Sequence, residues 1–184
     1  MALSLQRYKK IKKEILKLKP KDVKVRYLQR KTHSYDIRKQ TCYIGKLAGR
    51  VNLLHGLLHE MCHSMTKPQM FASKPNFKFT ASINYDNKVV CQRPNSLFYL
   101  NEYKAEKLLR KICRQHNWNN ILTYSNKTIT YLTTLTHDSH IIKYNNVTIF
   151  PIDKIIDNFL RNYVMGYIYM AKRISREENL CINT

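Results

Sequence analysis

The chain has 184 residues, with 33 Lys+Arg against 12 Asp+Glu and a formal net charge of +21 with neutral histidines. Four Gly and five Pro exclude collagen, flexible-linker and Pro-rich disordered classes. No apolar run approaches the roughly 20 residues of a membrane span, and MALSLQRYKKIKKEILKLK lacks the roughly 7–15-residue apolar stretch of a signal peptide. The expectation is a single cytoplasmic domain over residues 1–184.

So basic a chain attracts polyanions, while an AT-rich coding sequence would also enrich Lys, Asn, Ile and Tyr. The first 40 residues hold 14 Lys/Arg and 3 Asp/Glu, and so +11 of the charge. They form a basic segment suited to nucleic acid. The five cysteines, Cys42, Cys62, Cys91, Cys113 and Cys181, contain no CxxC pair and are odd in number. That argues against a disulfide framework or a zinc ribbon.

In chain order, Tyr8, Ile11, Ile15 and Leu18 fall at helical spacing and predict a basic helix at about 4–19, stopped by Pro20. Val23, Val25 and Tyr27 alternate with Lys24 and Arg26 as a half-buried strand does. A second short strand is expected at Cys42-Tyr43-Ile44. Residues 49–66 carry Val51, Leu54, Leu58, Met61, Cys62 and Met65 at helical spacing, a largely buried helix ending before Pro68. Residues 77–92 read as a hairpin turning at Tyr85-Asp86-Asn87-Lys88.

Asn95 or Ser96 is placed to cap a helix over about 97–115. Further helices are expected near 127–137 and, opening at Pro151, over about 151–173, with a frayed tail beyond Ser175. HDSH and YNN read as loops. The fold class is α+β. A small N-terminal sheet, including 23–28 and the 77–92 hairpin, packs on the 49–66 helix, and the C-terminal half is mainly helical.

The chemistry centres on His59-Glu60-Met61-Cys62-His63. On a helix, His59 and His63 lie one turn apart on one face and can reach a single tetrahedral zinc, with Glu60 beside them as general base. A third ligand is required, and Glu102 in Leu100-Asn101-Glu102-Tyr103-Lys104-Ala105-Glu106 is the candidate. Glu106, one turn on, can hold a ligand histidine by its other nitrogen. The alternative use of both acids is pairing with Lys107, Arg110 or Lys111. Tyr99, Tyr124, His137 and His140 are candidates for stabilising the transition state. His55, one turn before His59, packs or lines the cleft entrance, and Cys62 belongs to the core.

LLHEMCH, followed some forty residues later by LNEYKAE, resembles the gluzincin metallopeptidases. It is similar in particular to small bacterial and phage members and to lethal-factor-like peptidase domains. The resemblance covers about residues 52–110. It implies a zincin-like fold, zinc bound by His59, His63 and Glu102, Glu60 as base, and a protein or peptide substrate. LLHEMCH is also similar to the SprT/Spartan-like peptidases that act near DNA. That group takes a third histidine shortly after HExxH, and here none lies between His63 and His116. The competing function is a basic DNA- or RNA-binding protein in which HExxH carries no metal.

Overall fold

The structure is a computed structural model and describes residues 3–66, 96–134, 142–144, 147–149 and 158–180. It is a mixed α+β fold, mostly helical. The described residues form five helices, a three-stranded sheet and a two-stranded hairpin. None of these helices is long and apolar enough to cross a membrane. The chain divides into two compact units, Met1–Pro68 with Tyr103–Thr128, and Gln69–Glu102 with Ile129–Thr184.

The first unit opens with α1 (Leu5–Lys17). Ser4 caps it, accepting a hydrogen bond from the Arg7 amide at 3.3 Å. Ile11 and Ile15 are buried, while Lys9, Lys10, Lys13 and Lys17 face solvent on the opposite side. The one acid of α1, Glu14, accepts from the Trp118 indole N–H at 3.3 Å.

Strands β1 (Lys24–Leu28), β2 (Ser34–Asp36) and β3 (Thr41–Gly45) form a sheet in the order β1-β3-β2. The central β3 pairs parallel to β1, Val25 opposite Cys42, and antiparallel to β2, Tyr35 opposite Cys42. Thr41, Cys42, Ile44 and Gly45 are buried, as a central strand covered by a helix requires. The expected 42–44 strand is therefore longer at both ends, and β2 is an addition to the expected elements. The 77–92 hairpin lies outside the described residues.

Helix α2 (Arg50–Met65) packs on β2, β3 and α1. Leu53, Leu54, Leu57, Leu58, Met61 and Cys62 fill the core with Ile11, Ile15, Cys42 and Ile44. Burying a Leu or Ile side chain contributes roughly 1.5–3 kcal/mol, so this cluster sets the position of α2. His33 adds a polar clamp. Its Nδ1 accepts the Gly45 amide at 3.1 Å, which leaves Nε2–H to donate to Asn52 Oδ1 at 3.3 Å. The His33 ring lies against Gly56.

Helix α3 (Ser96–Gln115) ends at Asn117, whose φ of 54° supplies the left-handed residue of a helix stop. Helix α4 (Asn119–Thr134) begins eight residues earlier than the expected 127. Within the first unit Ala105, Leu109, Cys113, Trp118 and Ile121 join the core.

In the second unit β4 (Ile142–Tyr144) pairs antiparallel with β5 (Val147–Ile149); of the expected YNN loop, Tyr144 closes β4 and residues 145–146 lie outside the described residues. Helix α5 (Asn158–Glu177) buries Tyr167, Ile168, Met170, Ala171 and Ile174. It runs past the expected end at 173 and continues two residues into the tail expected to fray beyond Ser175. Residues 151–157 of the expected helix lie outside the described residues.

Candidate metal centre

The HExxH residues sit in the buried C-terminal half of α2. His59, Glu60 and His63 are each less than a tenth exposed. One helical turn places the two imidazoles edge to face, ring centroids 4.8 Å apart, with Nε2 of His59 3.2 Å from Nε2 of His63. Two nitrogens sharing a tetrahedral zinc at about 2.0–2.1 Å stand about 3.3 Å apart, so this pair already has the required separation.

Glu102 and Glu106 are consecutive turns of α3. His59, His63 and Glu102 are all buried and offer one ligand atom each, none further than 4.8 Å from another. Three atoms so arranged have a common point within about 2.8 Å of each. Shifts under about 1 Å would bring them to zinc-ligand distances. Two neutral imidazoles and a carboxylate are a donor set that suits zinc, so the residues fit the group.

Glu106 accounts for the other edge of His59. Its Oε2 lies 3.1 Å from His59 Nδ1. A carboxylate only accepts, so Nδ1 carries the proton and Nε2 presents its lone pair toward His63. Burial pushes the Glu106 carboxyl up, but the His55 and His59 imidazoles outweigh it and hold it well below the usual range. The second oxygen, Oε1, accepts from Ser125 Oγ at 2.5 Å. Ser125 Oγ accepts in turn from Arg110 Nη1 at 2.6 Å, and Arg110 Nη2 donates to Asn126 Oδ1 at 2.6 Å.

His55 continues the row of histidines one turn earlier. Its ring stacks on His59 at 5.8 Å and meets Tyr124 at 5.1 Å. Its Nε2 is 3.7 Å from Glu106 Oε2, beyond hydrogen-bond reach, and has no hydrogen-bond partner. Burial raises the Tyr124 phenol above its ordinary value, so it stays a donor at neutral pH. Tyr99 is elsewhere engaged, accepting from Arg173 Nη1 at 3.2 Å. His137 and His140 lie outside the described residues.

Glu60 is buried in α2, and its charge reaches Cys42 on β3. Burial first, then Glu60, pushes the Cys42 thiol up to about 12. Cys62 is likewise raised, by burial foremost, and is a free core thiol. Neither is a nucleophile at neutral pH. His116 is exposed and stacks on Trp118 at 4.6 Å.

Sequence reasoning missed Ser125, Asn126, His33 and Asn52. Arg110 carried a local signal, one turn after Glu106, but its links to Ser125 and Asn126 join residues of two helices 15 and 16 positions apart in sequence. No protein-family model, curated protein or solved structure matches the chain.

Proposed function

We propose that the chain is a zinc-dependent metallopeptidase of the gluzincin type, acting on protein or peptide substrates. The observation that carries this reading is the convergence of buried His59, His63 and Glu102, with His59 oriented by Glu106. His59 Nε2, His63 and the Glu102 carboxylate would hold the ion. A bound zinc would acidify water and polarise the scissile carbonyl.

The chain's own groups perform the proton transfers. Glu60, adjacent to His59 on α2, accepts the proton of the attacking water and passes it to the departing amide nitrogen. Tyr124 supplies a phenolic O–H beside the His55–His59 stack to stabilise developing negative charge. The three-stranded sheet packed on α2 supports the zincin-like reading of the fold.

The test separates metal from base. The purified chain is expected to hold about one zinc, and His59→Ala or His63→Ala to lose it. Glu60→Gln keeps the metal and loses peptide hydrolysis. Full hydrolysis by Glu60→Gln overturns the mechanism.

A second reading, a basic nucleic-acid-binding chain, has the lysine stripe of α1 behind it, Lys9, Lys10, Lys13 and Lys17. The same exposed pattern recurs on α3 at Lys104, Lys107, Lys111 and Arg114. On this reading His59→Ala leaves function intact.

A further inference from the structure

Beyond the ligands and Glu106 lies a hydrogen-bond chain with one direction. Arg110 can only donate, the Glu106 carboxylate can only accept, and the hydroxyl between them must do both. Arg110 Nη1 donates to Ser125 Oγ at 2.6 Å, and Ser125 Oγ–H donates to Glu106 Oε1 at 2.5 Å. His59 Nδ1–H then donates to Glu106 Oε2 at 3.1 Å. Arg110 is 1% exposed, Ser125 0% and Glu106 3%. Water therefore has little access to replace a lost link.

We infer that Ser125 and Arg110 are positioning residues for the metal centre: through Glu106 they fix the Nδ1–H tautomer of His59 and so set how tightly His59 Nε2 binds zinc. This rests on the metal reading above and extends it to α4. The two oxygens of Glu106 face different partners. A carboxylate held only by His59 is free to rotate about its own bond and bring either oxygen, or neither, to Nδ1. The Ser125 hydroxyl pins Oε1, and Oε2 is then left on Nδ1. Arg110 pins the hydroxyl in turn. Its two nitrogens grip Ser125 and Asn126 of one α4 turn, so the guanidinium also sets the register of α4 against α3. A lysine cannot span both acceptors.

The experiment uses the full chain with zinc as the probe. Zinc affinity is measured by chelator competition, and the His59 tautomer of the metal-free chain is read from imidazole nitrogen NMR shifts. Ser125→Ala is expected to weaken zinc binding on the order of 10–100-fold, the range for loss of a group behind a ligand. It is also expected to move His59 away from a pure Nδ1–H tautomer. Ser125→Thr, which keeps the hydroxyl, restores both, and Arg110→Lys weakens binding in the same direction. Thermal unfolding of the metal-free variants separates stability from affinity. Zinc affinity and tautomer both unchanged in Ser125→Ala, while wild type binds and His59→Ala does not, overturn the inference and leave the metal reading standing. Lowered stability with unchanged affinity overturns it too, by reducing the chain to a structural role. A wild-type chain that takes up no zinc overturns the metal reading and this inference with it.

Discussion

Gly56→Ala is the sharpest test of how α2 is seated. In an open helix interior this change stabilises by about 1 kcal/mol, since alanine has the better helix propensity. Here an added Cβ would stand under 3.0 Å from Cδ2, Cγ and Nε2 of the His33 ring. The ring is held at both nitrogens, by Gly45 and Asn52, so it yields only by breaking hydrogen bonds. Overpacking costs about 1–3 kcal/mol, and two lost hydrogen bonds about 1 kcal/mol each. Set against the propensity gain, the net is a loss of about 2–4 kcal/mol. Urea unfolding should show a lower midpoint with an unchanged slope. In a His33→Ala background the space is open, and Gly56→Ala should become stabilising by up to about 1 kcal/mol. Because Gly56 lies three residues before His59, the single variant should also bind zinc more weakly. Stabilisation of the wild-type chain by Gly56→Ala, or no coupling in the cycle, refutes the clamp.

The His33 pKa is lowered to about 4, by burial first and then by the charges of His55, His59 and Arg30 against a partly compensating Asn52 bond. The unfolded chain then takes the proton first, so His33 lowers stability as pH falls from about 6.5 to about 4, with no further change below. The ceiling for one proton is about 1.4 kcal/mol per pH unit, reduced by the ring's partial solvent access; the wild-type minus His33→Gln difference in unfolding free energy across that window checks it. At the metal centre, Glu102→Ala should cost most of the zinc and His116→Ala none, because the 14 residues between them span roughly 21 Å of helix. Loss of zinc from His116→Ala alone, measured by metal content, refutes the ligand set.

What the sequence made legible was local. The HExxH turn, the Glu102–Glu106 turn and the apolar stripe of α2 are all set by a 3.6-residue period, and each pair of residues meets on one helix. The partnerships between elements were not legible. Ser34-Tyr35-Asp36 has no alternating apolar run, and it is a strand because Tyr35 pairs with Cys42 of β3. The parallel pairing of β1 with β3 leaves no mark in either strand's composition. The first turns of α4, Asn119-Asn120-Ile121-Leu122-Thr123, contain poor helix formers, and burial of Ile121 and Ser125 overrides that propensity. Ser125 therefore had no reason to be singled out. Its partner Glu106 lies 19 residues away across a helix turn.

The buried polar groups support the metal reading through their cost. His59, Glu60, His63, Glu102, Glu106 and Arg110 are all under a tenth exposed, among buried residues that are mostly apolar. Burying such groups is expensive even when they are hydrogen-bonded, and apolar residues of similar volume often give a more stable core. Arg110, Ser125 and Glu106 are joined in one hydrogen-bond chain. The pair His59 and His63 differs, because one lone pair of His59 faces a second imidazole nitrogen at 3.2 Å, with a carboxylate-bearing residue beside them. Two imidazoles and a carboxylate have lone pairs to give, and one ligand atom of each lies within 4.8 Å of the others. A divalent cation uses all three donors at once and offsets the charge of Glu102.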